Sequence, residues 1–453
     1  MKKLYFTVML LSVAYISNAQ TLSYNNIGVL FSTENINGTA RYNAMSGAFG
    51  ALGGDLSSIE TNPAGAAVFI KSEFAVSLNI RNTETTSSFY GTSELTDNDY
   101  TNLSQAGGVF VFNTNRNSDW SNLALGFNYS IANDFKGLWL ASGNSGFAPI
   151  SDIYDPTVVY GNSDGQYFEN FTDGRNNKYT FTIASQYQDN LYVGASINTY
   201  DLEHYQSALI EEYNNDGSGN TYDVSQIQEL LTYGDGYSFS IGFISKPSEN
   251  IRFGLAYQSP VWYNLSEEFV EYDVNIFENN VSTETDFSGV NGYDYELRTP
   301  SKLTGSFAYI FDKQGLISID YIYKNYSNIE INSPGFSVEN TAFNTDLEST
   351  GQLRIGTEWR FDDISIRGGY HMEKSPYKNA LGSDDTDGFS LGAGYKFRGG
   401  KLDFAYQKST NTSSHDFYPQ HNFDNRDNPS NQINTTNLDF DTSKFTATLV
   451  LSI

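Results

Sequence analysis

Stretches of strict period-two alternation recur along nearly the whole chain, and the connections between them are by turns short and long. In "NIRFGLAYQ" (250–258) Ile251, Phe253, Leu255 and Tyr257 share one face, while Arg252, Gly254, Ala256 and Gln258 share the other. "KYTFTIASQY", "LYVGASIN", "GYSFSIGF", "FSLGAGYKF" and "KLDFAYQ" repeat the pattern, with one apolar face and one small or polar face. A soluble sandwich packs its apolar faces on each other, whereas a membrane barrel turns them to lipid and lines a lumen with the polar ones. Alternation alone leaves both open.

Loop lengths decide between them. Strands are read near 73–82, 105–115, 121–131, 177–188, 190–200, 235–246, 250–262, 293–311, 315–325, 350–361, 362–372, 386–397, 400–409 and 443–453, which makes fourteen. The joins "NRNSD", "DN", "KPSEN", "DKQ", "DD" and "RGG" fall at every second junction, and 132–176, 201–234, 326–349 and 410–442 fall at the others. An even strand number, with short turns on one side and long loops on the other, is the layout of a bacterial outer-membrane barrel. A sandwich has no reason to sort its loops. The fold class expected is therefore all-β, a transmembrane antiparallel β-barrel of about 14 strands. Closure follows from the solvent, because an open edge in lipid leaves N–H and C=O groups unpaired. Tyr129, Tyr187, Tyr257, Trp262, Tyr263, Tyr309, Trp359, Tyr370 and Tyr395 lie toward strand ends, where amphipathic rings suit the headgroup level or simply follow the β preference of tyrosine.

The N-terminus points to export. Lys2 and Lys3 precede the apolar run "LYFTVMLLSVAYIS", and Ser17 and Ala19 supply the small residues of a cleavage site, so 1–19 reads as a cleaved signal peptide with the mature chain starting at Gln20. With no cysteine in 453 residues, neither disulfides nor a lipidated N-terminus is expected. A net charge of −27 argues against nucleic-acid partners, whose phosphates call for Lys and Arg.

Fourteen strands enclose more space than side chains alone fill. Residues 20–72, between the signal and the barrel at 73–453, are the candidate occupant. Gly47, Gly50, Gly53 and Gly54 allow tight turns, and Pro63 fixes its own φ and pushes Asn62 toward an extended conformation. The segment reads as an irregular stopper, a hatch. "GTARYNAMSGAFGALGGDLSSIETNPAG" resembles the N-terminal hatch of the FadL/TodX long-chain fatty-acid and hydrocarbon outer-membrane transporter family, with Gly47, Ala48, Asp55, Ser57, Asn62, Pro63 and Ala64 at the matching positions. "IRFGLAYQSP" and "LRTPSKLTGSFAY" are similar to strand motifs of that family. The resemblance implies a fourteen-stranded barrel in the cell outer membrane, a hatch in its lumen, an outer hydrophobic groove, and passive uptake of hydrophobic small molecules with sideways exit into the bilayer. Gly47, Gly53, Gly54, Asp55, Asn62, Pro63 and Ala64 would then be hatch and ligand contacts, with Asn62 and Pro63 its rigid corner and Gly53 and Gly54 its mobile part. A relative of the family serves as a shuttle in protein secretion, so the alternative is a protein-interaction barrel whose outer loops hold a protein partner.

Other candidates follow from residue types. Arg252, Arg354, Arg367 and Lys396 fall on the inward face by alternation, as lumenal contacts for a ligand carboxylate or partners of lumenal acids. Phe135, Leu138, Trp139, Leu140 and Phe147, in the first long loop, either form an outer hydrophobic groove or pack that loop on the barrel rim. "DVSQIQELLTYG" (223–234) has helical spacing, predicting a short amphipathic helix over the mouth. "GNSDG" matches a nucleophile elbow at Ser163, but its loop-like flanks favour a polar turn. His204, His371, His415 and His421 lack metal-ligand spacing and read as solvated loop residues. The acidic clusters "DDTDG" and "DNRDN" read as charged outer loops facing lipopolysaccharide. No cofactor, metal or catalytic residue is expected.

Overall fold

The computed structural model describes residues 24–453, apart from 113–117, 145, 147–149, 153–154, 156, 280, 286–288, 313 and 417–434. The signal reading at 1–19, Phe147, His421 and the "DNRDN" cluster lie outside the described residues.

Fourteen wall strands run β1 (Glu73–Phe89), β2 (Thr92–Phe112), β3 (Trp120–Asp134), β4 (Asn162–Tyr187), β5 (Leu191–Asn215), β6 (Thr221–Ser245), β7 (Ile251–Gln258 and Trp262–Glu278), β8 (Val290–Arg298 and Lys302–Phe311), β9 (Gly315–Asn325), β10 (Ser349–Phe361), β11 (Ile364–Glu373), β12 (Thr386–Phe397), β13 (Gly400–Asp416) and β14 (Thr435–Ser452). Each pairs antiparallel with its chain neighbours, and β14 returns to pair with β1 from Glu73↔Ser452 to Ser88↔Asn437, so the sheet is closed. Every wall strand therefore has a partner on both sides along at least part of its length.

The alternation read from sequence holds in space. Ile241 and Phe243 of β6, Phe253 and Leu255 of β7, Ile317 and Ile319 of β9, and Leu449 and Leu451 of β14 all stand exposed on the outside. Their neighbours Ser240, Ala256, Ser318 and Thr448 are buried inside. Aromatic rings pair on the outer face, Tyr237 with Trp262 at 5.4 Å and Phe311 with Trp359 at 5.5 Å between centroids. Tyr263, read as a belt residue, instead points inward, fully buried, and its hydroxyl accepts from Asn176 Nδ2 at 2.8 Å.

Several sequence expectations need correction. The helix read over 223–234 is part of β6, because that stretch finds backbone partners on both sides, in β5 and in the upper piece of β7. Tertiary pairing outweighs a weak helical spacing. The long loops 132–176 and 201–234 are largely strand, since β4, β5 and β6 extend well past the apolar belt, whereas 326–349 carries a helix over Ser337–Asp346. The strands read as unbroken over 250–262 and 293–311 are interrupted at the same level, at Ser259–Val261 and Thr299–Ser301. Pro260 and Pro300 sit in these breaks; lacking an N–H, they cannot continue a ladder. His204 and His371 are buried on inward faces, and the His415 ring packs against Trp139 and Phe168, so none of the three is a solvated loop residue. Ser163 opens β4 rather than a turn, and its hydroxyl accepts from the Gly165 N–H and Gln166 Nε2.

Candidate functional site

The chain ahead of β1 contacts the inward face of the wall around its circumference. Helix α1 (Tyr24–Ser32) is followed by an extended link, then α2 (Ala40–Ala44), α3 (Ser58–Thr61) and a 3₁₀ turn over Pro63–Val68. Thr39 caps α2, accepting from the Tyr42 N–H. The Ala40 N–H donates to Thr448 of β14, Asn43 to Thr446, the Gly50 N–H to Asp320 of β9, and Asn62 to the Phe243 carbonyl of β6. Residues from the link to Phe69 are mostly buried.

Two sets of wall residues allow this fit. At Gly194 of β5, an added Cβ would lie 2.5 Å from the Pro63 carbonyl carbon and 2.6 Å from the Ala64 nitrogen; at Gly369 of β11, it would lie 2.5 Å from Met45 C. Glycine thus lets two backbones approach where any side chain would hold them apart. The second set is cationic. Lys178 of β4 and Lys302 of β8 both pair with Glu34, Lys324 of β9 donates to the Ser32 carbonyl, and Lys444 of β14 to the Ile36 carbonyl. Four lysines from four strands therefore grip three residues, Ser32 at the end of α1 and Glu34 and Ile36 in the link. Burial pushes the Glu34 carboxyl up, but Lys178, Lys302 and Lys324 outweigh it and hold the group well below the usual carboxylate range.

The residues singled out from sequence fall as follows. Gly47, Gly53 and Gly54 all have positive φ, of 74°, 62° and 62°, the left-handed region that the glycine reading required. Asn62 is extended (φ −147°, ψ 111°) ahead of Pro63, and its side-chain oxygen accepts from the Ala64 N–H at 3.1 Å. Its Nδ2 also donates to the Gly50 carbonyl at 2.8 Å, joining the two halves of the segment. Asp55 accepts from Thr39 Oγ1 and the Ser57 N–H, and burial raises its carboxyl above the ordinary value despite Arg41 at 4.0 Å. Among the inward cations, Arg252 donates to the Leu52 carbonyl, Arg354 to the Tyr42 hydroxyl, and Arg367 pairs with Glu358 and Asp403. Lys396 is exposed beside the short turn that joins β12 to β13.

Outside the segment lies a cavity of about 1810 Å³. Phe135, Leu138 and Trp139 line it, together with α1 and α4 (Ser337–Asp346). Leu140 sits on the same inner strand, Gly137–Gly143, and its carbonyl accepts from Ser87. That inner strand pairs with β4, a contact that loop composition did not reveal.

Among the described residues, the ladder between β2 and β3 is incomplete. β2 and β3 are paired only from Gln105↔Ser130 to Phe112↔Leu123, although β2 starts at Thr92 and β3 continues to Asp134. Beyond Ser130, β3 follows β4 and leaves β2. Where the ladder stops, Asn37 Nδ2 donates to the carbonyls of both Ser104 and Ile131, at 3.3 and 2.9 Å. Asn35 adds its N–H to the Ala132 carbonyl at 2.8 Å and its side chain to Asn133 at 2.7 Å. The segment inside the barrel thus supplies hydrogen bonds that the neighbouring strands do not. No sequence signal marks Asn35 or Asn37, because asparagine in an irregular link reads only as turn chemistry.

A family profile described as outer membrane protein transport protein (OMPP1/FadL/TodX) matches residues 21–447. No curated protein sequence matches the chain. Among solved structures, the chain is similar to a Pseudomonas aeruginosa FadL homologue at 14% identity and TM-score 0.58, covering 93% of this chain and 99% of that one. It is also similar to the P. putida toluene transporter TodX (12%, TM-score 0.55, covering 92% and 99%) and the Ralstonia pickettii toluene transporter TbuX (14%, TM-score 0.51, covering 93% and 100%). At these identities the likeness establishes the fold alone.

Proposed function

Because the chain belongs to the OMPP1/FadL/TodX family of outer-membrane transport proteins, we propose that it carries hydrophobic small molecules inward by a path of three parts. Residues 1–19 direct export and are removed, and the apolar belt of 73–453 then sits in the outer-membrane bilayer beneath the lipopolysaccharide. A ligand first enters the outer cavity, where transfer of apolar surface out of water supplies about 25 cal/mol per Å². It then meets the hatch formed by residues 20–72. It leaves sideways into the bilayer between β2 and β3, just beyond Gln105 and Ser130. The parted ladder at that seam carries this reading. A seam closed by side chains of the hatch opens when the hatch moves, whereas a continuous ladder opens only by breaking backbone pairs.

The reading is tested by uptake of a labelled aromatic hydrocarbon in cells with and without the gene. A second arm uses the absence of native cysteine: Asn35→Cys and Asn133→Cys are joined by a reducible bifunctional linker. Uptake is expected to depend on the gene, to fall when the linker is in place and to recover on reduction. Uptake indifferent to the gene refutes transport; uptake indifferent to the linker refutes the seam as the exit.

A further inference from the structure

The cavity above the hatch carries polar atoms that the barrel itself does not use. On β5, His204 and Gln206 alternate on the inward face, and both line the cavity. His204 is fully buried, edge-on to Phe31 of α1 at 5.7 Å and to Phe135 at 5.2 Å between centroids. Neither of its ring nitrogens has a hydrogen-bond partner among the described residues. Gln206 donates Nε2 to Asn170 at 2.6 Å, which orients its carboxamide and leaves Oε1 without a partner among the described residues. Buried polar side chains are nearly always satisfied, so two adjacent ones with unused atoms point to a molecule that completes them.

Their chemistry defines that molecule. A neutral imidazole offers one N–H donor and one nitrogen acceptor, and the Gln206 oxygen is a second acceptor. A single hydroxyl fits, accepting from the imidazole N–H and donating to the carboxamide oxygen. Same-face residues two apart on a strand stand about 7 Å from each other at the backbone, and side chains that lean together bring their polar atoms within the roughly 5.6 Å that the two hydrogen bonds of one hydroxyl span. Phe135 and Trp139 beside them offer the apolar body its surroundings.

Charge around the cavity argues against an acid in this place. Its lining carries the carboxylates of Glu271, Glu339, Asp346, Glu373 and Asp384 against the cations Arg81, Lys136 and Lys374. Arg81 and Lys136 are already paired with Asp134 and Asp173, each at 3.5 Å. Deeper in the bore, Lys178, Lys302, Lys324, Lys444, Arg252 and Arg354 are held by the hatch segment.

We infer that the inner end of the outer cavity is a subsite for neutral hydrophobic molecules bearing one hydroxyl, and that it discriminates against carboxylates of the same shape. The inference rests on the channel reading and names the ligand class for it. Calorimetric titration of the purified barrel with 4-propylphenol, propylbenzene and 4-propylbenzoate near neutral pH tests it. The phenol is expected to bind about tenfold more tightly than the hydrocarbon, the factor of one good hydrogen bond, and the benzoate to bind most weakly. His204→Phe and Gln206→Leu should each bring the ratio of phenol to hydrocarbon affinity close to one, with heat-modifiable migration reporting the folded barrel. If one variant does not fold, the wild-type order and the other variant decide. Benzoate binding as tight as phenol, a wild-type ratio near one, or a ratio that survives both substitutions overturns the subsite. If the hydrocarbon binds without preference for the phenol, only this inference fails; if none of the three binds, the channel reading fails with it.

Discussion

Replacing Asn62 by alanine removes three hydrogen bonds from one buried side chain: the cap to the Ala64 N–H and the donations to the Gly50 and Phe243 carbonyls. At about 1 kcal/mol net for each, the hatch corner should lose about 3 kcal/mol of local stability. Asn62→Ser separates the contributions, since serine keeps a cap but cannot reach both carbonyls; its cost should be about 2 kcal/mol, the difference being the cap. The barrel ladder is left intact by either change, so the loss should be local. Hydrogen exchange reads it directly. The amides of Gly54 and Gly65, whose partners are the Gly65 and Asn62 carbonyls, should exchange about a hundredfold faster in Asn62→Ala and about thirtyfold faster in Asn62→Ser. Amides in the β6 and β7 ladder should not change. An increase below about threefold in Asn62→Ala, with the barrel folded, would refute the idea that this carboxamide docks the corner.

Two further changes probe the grip of the wall. Glu34→Gln leaves Lys302 facing a neutral group and Lys178 with Glu60 alone at 3.7 Å, and should loosen the link by about 3 kcal/mol, seen as more frequent channel openings in planar bilayers. Because the Glu34 carboxyl is held below its unfolded value, its contribution is fully present above about pH 4.3 and is lost only as pH falls further through the depressed value; openings that already increase between pH 7 and 5 would contradict this. Gly194→Ala places a methyl against the Pro63 and Ala64 backbone and should displace the 3₁₀ turn, whereas Gly305→Ala, with nothing within 4 Å of the added carbon, should be tolerated. Equal hatch exchange in the two variants would refute the close-approach argument.

Much of the wall was legible in the sequence because its signals are short-range. Ile251, Phe253, Leu255 and Tyr257 alternate with polar or small residues whatever lies beside them, and two-residue turns declare themselves locally. The irregular character of the segment ahead of β1 was legible for the same reason: Gly47, Gly53 and Gly54 occupy conformations that glycine favours, and Asn62 before Pro63 is extended by local sterics. The upper barrel was not. Residues 223–234 carry helical spacing and still form strand, because β5 and β7 present open ladders on both sides. His204, read as a loop residue, became a wall residue when β5 lengthened.

The sequence by itself determined that the chain closes into an outward-apolar barrel and that an irregular glycine-rich segment precedes it, since period and turn chemistry are properties of adjacent residues. Only the tertiary structure decided which groups the lumen leaves unused. Inward alternation put Arg252, Arg354 and Arg367 in the bore, yet whether a cation meets a ligand or the hatch depends on partners far along the chain: Lys444 reaches Ile36 across 408 positions, and Arg354 reaches Tyr42 across 312. The seam at Gln105 and Ser130, and the asparagines that close it, likewise exist only once three distant stretches meet, because a missing backbone pair leaves no mark on the residues that lack it.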